Sequence, residues 1–187
     1  MCDVSITVHR SAREIGGNCI ELATSEGRRL LLDAGRPLDT PEGVSSPIPS
    51  SLGLAVMPEA VLLSHAHQDH VGLLPVLPAN WPVWCSAPTG RLIRLLAGVQ
   101  GWAIPQELRH WTSGREFHVG PFAITPLLVD HSAFDAHMLL IRVCGKSILY
   151  TGDFRGHGRK ASLLEGLVRR LPARLDALVM EGTNLGR

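Results

Sequence analysis

One stretch limits what this chain can become more than any other. Residues 60–70 run from Ala60-Val61-Leu62-Leu63 straight into Ser64-His65-Ala66-His67-Gln68-Asp69-His70. A short apolar run rich in branched side chains reads as a buried strand. Its end carries three histidines and an aspartate within six positions. Imidazole nitrogen and carboxylate oxygen are the ligands that a borderline cation such as Zn²⁺ takes. In a loop leaving a strand, His65 and His67 stand two apart and share a side. Asp69 and His70 follow after the chain turns toward a helix, and address a second point. The spacing therefore suggests two metals rather than one. The plainer alternative is a histidine-rich surface loop, but four metal-type side chains rarely gather at a strand end by accident.

The same design recurs downstream. A run from Phe117 to Val129, with a Gly120-Pro121 turn, reads as two strands that deliver Asp130-His131-Ser132. A lone histidine is usually structural, yet here a three-nitrogen site lacks its third ligand, and His131 is expected to supply it. Strands from His137 to Val143 and from Ser147 to Tyr150 then end in Thr151-Gly152-Asp153-Phe154. A carboxylate has two oxygens and can bridge two cations, which a histidine cannot. Asp33 closes an Arg29-Leu30-Leu31-Leu32 run. It serves either as a turn or helix cap or as the acceptor that fixes the tautomer of a metal-bound histidine. The loop Arg155-Gly156-His157-Gly158-Arg159-Lys160 is either a solvated connector or an anion-binding element.

Around these tips the chain reads as alternating strands and helices. Residues 3–9, 18–23 and 29–33 are three strands, expected as an antiparallel meander. The proline-rich residues 36–58 form a long loop. A proline-cut helix follows His70, then a strand at 81–86. Next comes a helix with Leu92, Ile93, Leu95, Leu96 and Val99 as its apolar face and Arg91 and Arg94 outside. Trp81, Trp84, Trp102 and Trp111 are expected to pack in the core and at edges rather than to stack on bases. A helix around Leu163–Leu171 and a last strand at 176–180 lead to Glu181-Gly182-Thr183.

At 187 residues the chain has room for one domain with a sizeable core. Lys and Arg number 18 against 17 Asp and Glu, so no global charge draws it to nucleic acid. The four cysteines, Cys2, Cys19, Cys85 and Cys144, lack any C-x-x-C spacing and read as buried thiols of a reducing compartment. With no secretory segment and no apolar run long enough for a bilayer, a cytoplasmic protein is expected.

The order Asp33, His65-x-His67-x-Asp69-His70, His131, Asp153 resembles the metallo-β-lactamase superfamily, over nearly all of residues 1–187. Glu14-Ile15-Gly16-Gly17-Asn18, Thr151-Gly152-Asp153-Phe154-Arg155 and Glu181-Gly182-Thr183 are similar to its β-CASP branch, which contains ribonuclease J. The resemblance implies an α/β, four-layer αββα sandwich with metals at the sheet edges. It implies that His65, His67 and His131 hold one zinc, that Asp69 and His70 hold the other, and that Asp153 bridges them. Manganese or iron suits the same donors. Asp33 would be the supporting acid, and Glu181 would match the acidic residue that opens the β-CASP region.

The function implied is hydrolysis by a metal-activated water, with Asp69 and Asp153 as catalytic residues and RNA or another phosphodiester as substrate. Ser132, Arg155, His157, Lys160 and Glu181 are the substrate-binding candidates. Two alternatives share the fold: a hydrolase of small esters, thioesters or lactones, and a non-catalytic metal-binding domain. The family's late metal-ligating histidine has no counterpart before Arg187, and His157 does not take its place. An incomplete second metal site and missing last strands are therefore expected, with an open sheet edge that invites a homodimer.

Overall fold

The computed structural model describes residues 2–41 and 44–183. Residues 42–43 and 184–187 lie outside the described residues.

Two sheets carry the fold. The first contains β1 (Val4–Arg10), β2 (Cys19–Thr24), β3 (Arg29–Leu32), β4 (Ala60–Leu62), β5 (Val83–Ser86) and β6 (Leu108–Trp111), side by side in chain order. The first three strands form the expected antiparallel meander, while β3 through β6 run parallel. The second sheet contains β7 (Phe117–Val119), β8 (Phe122–Leu128), β9 (His137–Val143), β10 (Lys146–Tyr150) and β11 (Ala177–Val179). Its order is β11-β10-β9-β8-β7, and only β11 joins in parallel.

Alternation explains the layers. Leu30 and Leu32 of β3 face Ile124, Leu139 and Ile148 of the second sheet, so one apolar core lies between the sheets. Leu31, with Val61 of β4 and Val83 of β5, faces the other way, toward helices α1 (Gln68–Val71) and α2 (Ala87–Gln100). Met138, Leu140 and Leu149 leave the far face of the second sheet and meet Leu164 and Leu167 of α3 (Ser162–Val168). Helix, sheet, sheet and helix thus stack as four layers, the α/β sandwich read from the sequence. Each fully buried Leu or Phe contributes about 1.5–3 kcal/mol relative to an exposed one, and both faces of β3 and β4 draw on it.

Three readings are corrected. The strand β6 was not foreseen, because Leu108-Arg109-His110-Trp111 has apolar residues only at its ends. Helix α2 docks through Thr89, Gly90, Ile93 and Ala97, whereas Leu95 and Val99 are exposed. The cause is a close approach: a Cβ on Gly90 would stand 2.7 Å from the His110 ring, so the small side of the helix turns inward. Cys2 and Cys144 form a disulfide bond, and only Cys19 and Cys85 are free thiols, both buried. The start of β1 lies against the β9–β10 turn, a proximity across 142 positions that spacing does not reveal. Burial pushes both free thiols up to about 12. No helix among the described residues is long and apolar enough to cross a membrane.

Candidate metal centre

Four strand ends converge at one edge of the sandwich. The chain leaves β3 at Asp33 and β4 at Ser64 and His65, and leaves β8 and β10 for His131 and Asp153. Since β3 and β4 are parallel neighbours with Leu32 opposite Leu62, Asp33 lies beside Ser64. The helix α1 then starts at Gln68 and turns Asp69 and His70 back toward the strand tips. Backbone contact fixes that turn: Asn18 N donates to Asp69 O at 2.8 Å, and Ala34 N donates to His70 O at 2.8 Å. A Cβ on Gly35 would sit 1.6 Å from Asp69 O, so only glycine lets the two backbones pass.

The first group consists of imidazoles alone. His65 Nε2 lies 3.1 Å from His67 Nδ1, and His131 Nε2 lies 3.3 Å from the same atom. Tetrahedral coordination at ordinary zinc–nitrogen distances separates ligand nitrogens by about 3.4 Å. All three rings are held neutral. Burial lowers His65, reinforced by the neighbouring His70, His67 and His131 rings. Burial likewise lowers His67, and brings His131 down to about 4. Neutral imidazoles at this separation present lone pairs to one point, so the residues fit a divalent cation.

The second group consists of His65, His70 and Asp153. Asp153 Oδ1 lies 3.3 Å from His70 Nε2, and its Oδ2 lies 3.6 Å from His131 Nε2. The carboxylate therefore turns one oxygen to each group. Asp69 Oδ2 is 3.7 Å from His70 Nε2. Burial disfavours charge on His70, but Asp33 and Asp153 outweigh it and raise the ring to about 10. Burial also works against charge on Asp153, yet His70, His131 and His67 lower it below the usual carboxylate range.

Beneath both groups sits Asp33, fully buried, with φ at +56°. Its Oδ1 accepts from Ser64 N at 2.7 Å. Its Oδ2 accepts from Ser64 Oγ at 2.7 Å, His70 Nδ1 at 2.7 Å and Tyr150 OH at 2.5 Å. Ser64 Oγ, having given its proton to Asp33, accepts from His65 Nδ1 at 3.0 Å. One carboxylate thus orients two histidines, His70 directly and His65 through Ser64, and leaves both Nε2 atoms facing the centre. Burial and Asp33 together keep the Tyr150 phenol protonated.

The remaining candidates stand farther out. Ser132 is exposed, its Oγ 3.5 Å from His131 Nε2. The Arg155 guanidinium turns to the buried Asp130, with Nε 3.4 Å from Oδ2. His157 is exposed and belongs to neither ligand group. Lys160 Nζ lies 5.9 Å from the centre of the Phe134 ring. Glu181 Oε1 accepts from Phe154 N at 2.8 Å and so braces the loop that carries Asp153. Sequence reading passed over Ser64, Tyr150 and Asn18, whose amide nitrogen is 3.0 Å from His70 Nε2. The signals were available only as position, since Ser64 precedes the first histidine and Tyr150 ends the strand before Asp153. A cleft of about 720 Å³ opens beside Asp69 and Asp153, walled by Ser11, Glu14, Asn18 and Glu181.

Comparison with known proteins places this arrangement. A family model described as the β-lactamase superfamily domain matches residues 28–186. An RNase J-like protein of Methanocaldococcus jannaschii is 30% identical over 197 positions, covering 96% of this chain and 42% of that protein. Transcription termination factor FttA of Methanosarcina mazei is 28% identical over 206 positions, covering 96% of this chain and 31% of that protein. The chain therefore spans less than half the length of either relative. Among solved structures, a protein of unknown function from Enterococcus faecalis superposes with a TM-score of 0.78 at 22% identity. That match covers 98% of this chain and 50% of the other.

Proposed function

The chain belongs to the metallo-β-lactamase superfamily, and from that premise we propose that residues 1–187 form one domain of a metal-dependent phosphodiesterase acting on RNA. The relatives related to ribonuclease J and FttA support the nucleic-acid branch of the reading. The observation that carries the proposal is the Asp153 carboxylate, with one oxygen toward His70 and the other toward His131.

In this reading His65, His67 and His131 hold one cation, Asp69 and His70 face the other, and Asp153 lies between. Zinc suits the nitrogen-rich side, and manganese or iron suits the same donors. Two such cations, when bound, supply Lewis acidity and a water that ionises near neutral pH. The chain's own residues do the rest. Asp69 is placed to accept the proton of the attacking water and to orient it. Asp33 accepts from His70 Nδ1, so Nε2 is the nitrogen that gives up its proton to the cation. The cleft beside Asp69 and Asp153 gives a strand access to these groups, and Ser132 and Lys160 stand on the loops that border them.

The test starts with metal content. The purified chain is expected to hold one tightly bound equivalent by elemental analysis, on the three-histidine side, to take up a second on titration, and then to cleave labelled single-stranded RNA. Replacing Asp69 by Ala is expected to remove the cleavage. Turnover of thioesters with intact RNA would transfer the reading to small-molecule hydrolysis. Full metal loading with neither activity would leave a metal-binding domain.

A further inference from the structure

Phe134 is 69% exposed, and it stands three residues beyond His131. Its loop is not a loose one. Val129 N donates to Ala136 O at 2.9 Å and closes the loop at its base. Ala133 and Ala136, on either side of the ring, are buried. Asp135, between them, accepts from the Ser86 hydroxyl at the start of α2, and its carbonyl accepts from Thr89 Oγ1 at 3.3 Å. An aromatic side chain is thus held in water by a backbone anchored on both flanks.

A second loop meets it. Residues 153–161 leave Asp153 and are tied to the first loop by Arg155 N, which donates to Asp130 O at 2.8 Å, and by the Arg155–Asp130 ion pair. That contact brings Lys160 Nζ within 5.9 Å of the Phe134 ring centre. The two loops that carry His131 and Asp153 therefore also carry an aromatic ring three residues beyond the histidine and an ammonium group seven residues beyond the aspartate. Flat aromatic faces with a neighbouring cation are what proteins use to hold single-stranded nucleic acid, because every base has a π-face and every linkage a charge.

We propose that Phe134 is a stacking platform for one unpaired base of the RNA strand, with Lys160 meeting the phosphate beside it. The proposal rests on the nuclease reading above and adds a positioning contact to it. A rigid ring gives this contact at small entropic cost, and it fixes which linkage of the strand lies over the metals.

The test compares Phe134→Ala, Phe134→Trp and Lys160→Ala with the unaltered chain on single-stranded RNA. It also uses a series of the same oligonucleotide made abasic at one position at a time. Phe134→Ala is expected to raise KM about tenfold, equivalent to about 1.4 kcal/mol, with kcat within a factor of about two. Phe134→Trp is expected to restore KM. For one abasic position the unaltered chain should show the same loss, and Phe134→Ala should lose nothing more. Lys160→Ala should lower the slope of log KM against log salt by about 0.7. Cleavage of RNA with Phe134→Ala indistinguishable from the unaltered chain, or equally impaired at every abasic position, overturns the stacking proposal alone. An unaltered, metal-loaded chain that neither binds nor cleaves RNA overturns the nuclease reading, and this proposal with it.

Discussion

The two halves of the candidate centre lie a few ångströms apart and are prepared in opposite ways. On one side, His65, His67 and His131 are all lowered below the ordinary histidine range and are neutral. On the other side, His70 sits between Asp33 and Asp153 and is raised to about 10. The difference lies in what surrounds each ring. Three buried imidazoles facing one another disfavour the second proton that would charge a ring, whereas two carboxylates favour it. A cation entering the first side meets lone pairs that are already free. A cation entering the second must displace a proton. The contrast also explains why a single buried carboxylate, Asp33, suffices to position both sides. It reaches His70 directly, and it reaches His65 through the Ser64 hydroxyl.

The sharpest way to break the comparison is to remove what the two sides share. Asp153 turns one oxygen to each ligand group, so Asp153→Ala is expected to weaken both, with metal content below one equivalent and hydrolysis at least about 10³-fold lower. Retention of one equivalent would show that the sides are independent.

Next in size is Asp33→Ala, which strands a buried, charged His70. Removing one member of a buried pair costs about 3–5 kcal/mol, and urea unfolding of the metal-free chain would read it. A loss below about 1 kcal/mol would mean that Asp33 is not the common support.

The third prediction concerns pH. With His70 protonated up to about pH 10 in the metal-free chain, affinity on the carboxylate side should rise about tenfold per pH unit between pH 6 and 8.5. The three-histidine side should be flat over that window, because His131 is down at about 4 and its neighbours are lowered too. Metal titrations at several pH values would show two slopes, and equal slopes would erase the distinction. The same proton stabilises the metal-free fold. Its contribution is complete below the unfolded value of about 6.5 and is lost as pH rises toward 10.

The smallest effect is Tyr150→Phe. It removes one of three donors to Asp33 Oδ2 and should cost about 1 kcal/mol, with metal content unchanged on both sides.

How far the sequence could be read follows the same physics. Strand tips were legible because an apolar run that stops at a histidine or aspartate changes character within one residue, as at Leu63-Ser64-His65 and Tyr150-Thr151-Gly152-Asp153. The layers followed from the family resemblance those tips carry, and Leu30, Leu31 and Leu32 agree with it, being apolar on both faces and covered on each. Asp33 stayed open between cap and support, since only the pairing of β3 with β4 brings it beside Ser64. The inward face of α2 was misread, because leucine and valine look buried by chemistry while Gly90 wins by fitting against His110. The joining of Cys2 to Cys144 and the reach of Asn18 to His70 are long-range facts, and no local pattern encodes them.

The centre takes His65, His67 and His70 from behind β4 in one sheet, and His131 and Asp153 from behind β8 and β10 in the other. Between the sheets there is otherwise a layer of hydrocarbon, which resists separation but has no preferred register. An ion seated among these groups would act as a rivet through two plates. It would set the distance between the sheets at one rim, while the Cys2–Cys144 bond ties β1 to the β9–β10 turn at the other. Cohesion of the sandwich would then grow with the logarithm of the free metal concentration above its dissociation constant. Scarcity of the ion would loosen the fold at the same place where it stops the chemistry.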